Sequence, residues 1–225
     1  MTQNKFFIID FDSTFTQVEA LEELAKISLK DNPDREIILN EIKTITDAGM
    51  EGKISISESL ARRIKMLNAG KRHIDLLIKH LNKKITPSFS RNKGFFKRYC
   101  NNIFVLSAGF KEFIIPVLRD FYVPERNIFA NDFLFDKKGR IIGLDESNLL
   151  AKENGKIMQL KKLNLNGEVY AIGDGYTDFQ LKEAGLATKF FAFTENVKRE
   201  SAVKKADYVV QTFDEFLEIN GINIS

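Results

Sequence analysis

Phe6-Phe7-Ile8-Ile9-Asp10-Phe11-Asp12-Ser13-Thr14 decides how the rest of the chain is read. Four aromatic or β-branched residues run into two aspartates set two apart. A run this short fits a buried strand of a parallel sheet. At the carboxyl ends of such strands open α/β sheets bind their ligands. If extended geometry persists past Ile9, the Asp10 and Asp12 side chains project to one side. Carboxylates that close repel, and they need a cation between them or a shared proton. The same pair also suits a solvated loop that ends a strand.

Four similar runs follow at 103–106, 169–172, 190–193 and 208–210, with helical periodicity over about 111–121, 153–163, 177–185 and 196–204. Strands alternating with helices predict an α/β fold, a Rossmann-like core on a parallel sheet. Only helical patterns occupy the region between the first two strands. Apolar residues recur at helical spacing over 19–30, 35–47, 57–68 (opening at Ser57) and 71–83. The expected organisation is a core of 1–16 and 85–225 with a helical cap of 17–84 inserted in it. Within the core, 133–144 reads as a β-hairpin (132–145 with its flanks), Gly139 supplying a positive φ.

The 225 residues are 44% hydrophobic, which excludes a wholly disordered chain, and no apolar run approaches the ~18 residues of a membrane span. The opening residues 1–13 lack the apolar segment and cleavage site of a signal peptide. The single cysteine, Cys100, forms no intramolecular disulfide and reads as a small half-buried residue. A cytoplasmic setting is expected. Net charge is +3, and the densest basic cluster (79–84 with Arg91, Lys93, Lys97 and Arg98) reads as a solvated face. Neither a nucleic-acid nor a membrane partner is expected. The twenty phenylalanines read as core filler. His73 and His80 share one predicted helix face but lack the further ligands of a zinc site. Glu22 and Glu23 read as ordinary helix-surface charges.

Three further stretches stand where they could join Asp10 and Asp12. Ile172-Gly173-Asp174-Gly175-Tyr176-Thr177-Asp178 again ends a strand in glycines and acids; Gly173 and Gly175 permit a tight turn, and Asp174 could complete an oxygen-rich Mg²⁺ site with Asp10. It is equally a turn entering a helix capped by Thr177 or Asp178. Ser107-Ala108-Gly109 follows the 103–106 run and offers a hydroxyl and backbone N–H groups to a phosphate, or a plain N-cap. Lys156 opens a predicted helix after Gly155, with Leu160 and Leu163 following at helical spacing; Lys152 is the nearby alternative. All would converge on one edge of the sheet. Carboxylates, a cation, a lysine and a serine suit phosphoryl transfer, which is mostly positioning and charge neutralisation.

The order and spacing of these four motifs resemble the haloacid dehalogenase superfamily of phosphohydrolases, and the helical insertion resembles its C1-type cap. The opening segment 8–25, the cap stretch from Met50-Glu51-Gly52-Lys53 to Ser59-Leu60-Ala61-Arg62-Arg63, and the hairpin near Gly139 look like the phosphoserine phosphatase branch, which serves serine biosynthesis. The resemblance implies Asp10 as nucleophile and Asp12 as general acid and base. It implies Mg²⁺ held by Asp10, the Asp12 carbonyl and Asp174, with Asp178 orienting Lys156 or the metal's water shell. Ser107 and Lys156 would bind phosphate, helped by backbone N–H groups at Phe11 and Ala108, and by Thr177. Thr14 and Gly109 would support the loops. Glu19 and Arg63 match the positions that meet a substrate ammonium and carboxylate, a guanidinium fork suiting the latter.

The sequence departs from that branch in three places: Ala108 stands where relatives often carry glycine, the insertion is longer around 31–40, and Ile56 stands where an aromatic is common. The implied activity is Mg²⁺-dependent hydrolysis of O-phospho-L-serine by a monomer or homodimer. Alternatives are the same chemistry on phosphoethanolamine, a sugar phosphate or a methionine-salvage intermediate, or a non-catalytic phosphate-ligand sensor.

Overall fold

The computed structural model describes residues 4–223; residues 1–3 and 224–225 of the expected core segments lie outside the described residues. Six parallel strands form one sheet: β1 (Lys5–Ile9), β2 (Ile103–Phe110), β3 (Ile128–Asn131), β6 (Glu168–Gly173), β7 (Lys189–Phe193) and β8 (Tyr208–Val210). Their spatial order is β3-β2-β1-β6-β7-β8. The chain runs outward from β1 to β3 on one side and from β6 to β8 on the other. The direction reverses between β1 and β6, and ligands bind at such a switch point. Ile9 pairs with Ile172, so Asp10 and Asp174 leave the sheet side by side.

Alternation along the strands divides the apolar side chains between two faces. Phe7, Ile9, Val105, Tyr170, Ile172, Phe191 and Phe193 point into the larger cluster; Ile8, Leu106, Val169, Ala171, Phe190 and Ala192 point into the smaller. The helices of the insertion are α1 (Ala20–Ser28), α2 (Arg35–Met50), α3 (Ile56–Met66) and α4 (Lys71–Leu81). Those of the rest are α5 (Pro87–Arg91), α6 (Lys93–Arg98), α7 (Lys111–Leu118), α8 (Gly155–Leu163), α9 (Tyr176–Glu183), α10 (Glu200–Val203) and α11 (Phe213–Ile219). The insertion leaves and rejoins through a single antiparallel bridge, Thr16 to Ile85. Phenylalanine rings pack beneath that crossing: Phe15 lies 5.2 Å from Phe89, 5.7 Å from Phe96 and 4.7 Å from Phe121 between ring centroids. Aromatic pairs at these spacings add to the burial of the rings themselves.

β4 (Phe133–Phe135) and β5 (Ile141–Leu144) form the expected hairpin, with Gly139 at φ +75°. Its tip is tied to the insertion: Ile141 N–H donates to Ala69 O at 2.9 Å and Lys71 N–H to Gly139 O at 3.0 Å.

Several local expectations are corrected. α3 starts at Ile56 and is capped by Ser55, whose hydroxyl accepts from Glu58 N–H, not opened at Ser57. The helix expected over 196–204 shrinks to α10, because 194–199 is a loop whose side chains hold other segments. β2 runs on to Phe110, so Ser107 belongs to a bulged strand and caps no helix. Glu22 and Glu23 are not plain surface charges. Glu22 is half-buried, its carboxyl raised by burial and by the neighbouring Glu19. Glu23 sits 2.5 Å from Lys26 and 2.9 Å from His80.

Candidate active site

The carboxyl-end segments of β1, β2 and β6 and the start of α8 meet at the switch point. Beyond Asp10 the chain makes a tight turn, Phe11–Phe15, with Ser13 in the left-handed region at φ 54°. The turn carries the chain across the sheet edge toward α1. Asp10 is buried, and its Oδ1 lies 2.8 Å from Lys156 Nζ. The same ammonium lies 2.7 Å from Asp178 Oδ1. Lys156 is 7% exposed. Burial pulls its pKa down, but Asp10 and Asp178 outweigh burial and hold it above the usual lysine value. The turn before it requires Gly155, where a Cβ would lie 2.3 Å from the Leu149 carbonyl oxygen. Lys152, by contrast, is exposed.

Asp174 extends from β6. Thr14 Oγ1 donates to its Oδ1 at 3.1 Å, and Arg199 Nε donates to Oδ2 at 2.8 Å. Asp178, in the first turn of α9, accepts from Gly175 N–H at 3.2 Å. Gly173 permits that approach, since a Cβ there would lie 2.2 Å from the Asp178 carboxyl carbon. Burial pushes Asp174 and Asp178 each up to about 7, and repulsion from Asp10 adds to it. Oxygens of Asp10, Asp174 and Asp178 all lie within 4.8 Å of one another. A buried, all-oxygen, multiply acidic set that Lys156 and Arg199 neutralise only in part fits a hard divalent cation.

The Asp12 carboxylate turns away from this cluster. Its Oδ1 accepts from Ala20 N–H at 2.7 Å, at the start of α1. Burial, then repulsion from Glu19, raises its pKa well above the usual carboxylate range. A carboxyl that holds its proton more tightly than usual suits proton donation to a leaving group. Asp12 and Asp10 nonetheless line one cavity of about 20 Å³, together with Glu19, Arg63, Ser107 and Lys156. Ala108, Gly109 and Thr177 line it as well. Ser107 Oγ accepts from Gly109 N–H at 2.9 Å. Phe11 is buried in the turn, and Gly175 lies against Met50 of α2, a Cβ there coming 3.0 Å from its methyl.

The insertion supplies the remaining wall. Glu19 Oε1 accepts from Ser13 Oγ at 2.6 Å and from Arg199 Nη2 at 3.3 Å. Arg63 is 6% exposed, donating through Nε to Ser59 O and through Nη1 to Thr46 Oγ1, both at 3.3 Å. Among the described residues no carboxylate lies within ion-pair distance of it, and burial lowers its pKa.

Two residues escaped sequence reasoning. Arg199 joins Asp174 to Glu19 and, at 3.4 Å, to Asp47 of α2. Asn196 Nδ2 lies 3.1 Å from the carbonyl oxygens of Ser13 and Thr14 and 2.7 Å from Thr86 Oγ1, fastening the turn to the crossing. Both stand in a loop, and nothing in their spacing marks them. His73 and His80 lie on α4, away from the site; His73 Nδ1 accepts from Gly70 N–H.

No protein-family model matches the chain. A crystal structure of a phosphoserine phosphohydrolase-like protein from Francisella tularensis is 34% identical, covers 96% of this chain and 99% of its own, and superposes with a TM-score of 0.86. Human phosphoserine phosphatase is 26% identical over 92% of this chain and 89% of its own length, and the chloroplastic phosphoserine phosphatase of Arabidopsis thaliana is 26% identical over 92% and 69%. With four motifs gathered at one switch point and a solved relative of 34% identity matched nearly end to end, the chain belongs to the phosphoserine phosphatase-like family of the haloacid dehalogenase superfamily, and it is a phosphoric monoester hydrolase.

Proposed function

We propose that the chain hydrolyses O-phospho-L-serine to L-serine and phosphate, with Mg²⁺ held by Asp10, Asp174 and the backbone carbonyl of Asp12, and Asp178 behind them. The observation that carries the substrate choice is Arg63: a buried guanidinium, facing the cavity, without an acid partner among the described residues. A buried charge left so is stabilised by an anion entering beside it, and the fork matches a carboxylate. Across the same cavity, both bonds to Glu19 fall on Oε1, leaving Oε2 for a cation. One acid and one base facing inward complement an amino-acid head group. A curated relative that acts on phosphoserine, the human enzyme, supports the same choice.

In the first step Asp10 attacks phosphorus while the serine oxygen departs with the proton of Asp12. The P–O bond to serine breaks as the bond to the Asp10 carboxylate forms. In the second step Asp12, now a carboxylate, takes a proton from water, whose oxygen attacks phosphorus and frees Asp10. Ser107, Lys156, Thr177 and the N–H groups of Phe11 and Ala108 hold the phosphoryl oxygens throughout. A divalent ion held by Asp10, Asp174 and the Asp12 carbonyl would supply charge neutralisation for the transfer. Residues 17–84 serve as a cap that excludes water from the first step.

The test is a panel of monoesters ranked by kcat/KM with Mg²⁺, EDTA serving as control. Phosphoserine should rank above phosphoethanolamine, which lacks the carboxylate, and above sugar phosphates. A ranking in which phosphoethanolamine equals phosphoserine defeats the assignment of Arg63. No turnover of any ester leaves the binding-protein alternative.

A further inference from the structure

The serine loop is built by an irregularity in the sheet. Leu106 of β2 pairs with Phe129 of β3, and Phe110 pairs with Asn131. Ser107-Ala108-Gly109 therefore stands opposite the single residue Ala130. Such a bulge frees peptide groups from the ladder and re-aims side chains, here at a site edge. The freed groups still need partners, because Ser107 and Gly109 are buried and Ala108 is half-buried.

Asn131, the last residue of β3, supplies one. Its side chain is 0% exposed, and Nδ2 donates to the Ala108 carbonyl at 2.9 Å. The same Nδ2 lies 3.5 Å from the carbonyl of Leu150, in the short turn Leu149–Ala151 that precedes Lys156. Across a trans peptide the carbonyl and the following N–H point opposite ways. Holding the Ala108 oxygen toward β3 turns Gly109 N–H toward Ser107 Oγ, which it meets at 2.9 Å. The amide's Oδ1 is buried without a hydrogen-bond partner among the described residues. Leaving an acceptor so is unfavourable, and a residue kept only to fill space would do better as leucine.

We infer that Asn131 is a positioning residue that fixes the Ser107-Ala108-Gly109 bulge and registers it against the Lys156 segment, setting the spacing between two ligands of one phosphate. The inference rests on the proposed phosphate role of Ser107 and Lys156. It concerns the donor, not the bulk, at position 131.

Asn127 provides an internal control. It too is a buried asparagine, just before β3, and its Nδ2 donates to the carbonyls of Ile103 at 2.9 Å and Cys100 at 3.3 Å, at the strand end away from the site. Asn131→Leu and Asn127→Leu remove comparable bonds at opposite ends of one strand. The readout is the inhibition constant of inorganic phosphate against p-nitrophenyl phosphate hydrolysis by the Mg²⁺-loaded enzyme, with thermal midpoints measured in parallel. Asn131→Leu should weaken phosphate about tenfold, while Asn127→Leu lowers the midpoint and leaves phosphate affinity unchanged. Asn131→Ser, whose hydroxyl is too short to reach the Ala108 carbonyl, gives the same loss if leucine is not accommodated. Phosphate affinity within twofold of the parent in the 131 variants, or an equal loss in Asn127→Leu, overturns the inference. Ser107→Ala separates the two layers. If it weakens phosphate while the 131 variants do not, only the inference fails; if it leaves phosphate binding unmoved as well, the reading of the phosphate site falls and this inference with it.

Discussion

The sheet edge and the helical wall that faces it treat charge in opposite ways. At the edge, the buried acids Asp10, Asp174 and Asp178 each have a basic partner within 3 Å, Lys156 or Arg199. On the facing wall, Arg63 is equally buried and, among the described residues, hydrogen-bonds a carbonyl and a hydroxyl, with Glu19, Asp12 and Glu22 acting on it from beyond ion-pair distance. An edge that performs the same chemistry on any phosphate ester is organised before substrate arrives. On the proposed reading, the wall selects the head group and is completed by it. Reaction and selection are thus separable by mutation.

Asp10→Asn should break the edge outright. We expect a loss of at least about 10⁴-fold in kcat on every ester, since the nucleophile acts in both steps. Equal losses on phosphoserine and p-nitrophenyl phosphate place Asp10 in the shared chemistry; a selective loss would not. Asp174→Asn removes one arm of the acidic set, and a loss on the order of 10²–10³-fold is expected, with a higher Mg²⁺ requirement read by titration. Adding EDTA should lower the thermal midpoint of the parent more than that of the variant, because an ion bound to the folded chain stabilises it by mass action. Arg63→Ala addresses the wall. Losing a desolvated charge partner amounts to about 2–5 kcal/mol. The kcat/KM for phosphoserine should therefore fall by about 10²-fold or more, with p-nitrophenyl phosphate within about threefold. The smallest effect tests the tie between hairpin and insertion. Gly139 sits at φ +75°, so Gly139→Ala should cost about 1 kcal/mol, a midpoint shift of about 2–4 °C, with kcat unchanged.

What could be read beforehand follows from where physics is local. β1 and β6 are legible because apolar runs stop at aspartate and glycine, and α1 to α4 because their apolar residues recur at helical spacing. The hairpin is legible in the positive φ that Gly139 supplies. β3 is not: its four residues, Ile128–Asn131, include a small alanine and a polar asparagine, and their burial comes from neighbours distant in sequence. α5 and α6 hide in a stretch that begins with Pro87 and mixes serine with phenylalanine. Of the site, Asp10, Asp12 and Asp174 are visible because they follow short apolar runs, Ser107 because the 103–106 run stops at it, and Lys156 because it opens a helix. Arg199, Asn196 and Asn131 act through contacts that exist only once the chain is folded, reaching across 23 to 183 residues. Glu22 shows the converse. Its helical position suggests solvent, and α2 covers it.

The central claim is that the carboxylate at position 10 becomes phosphorylated. Acid quench of the enzyme turning over ³²P-labelled phosphoserine with Mg²⁺, followed by peptide mapping, tests it directly. Label is expected on the peptide containing Asp10, released by hydroxylamine and absent from Asp10→Asn. Robust turnover with no labelled peptide, or label that persists in the Asp10→Asn variant, would contradict it.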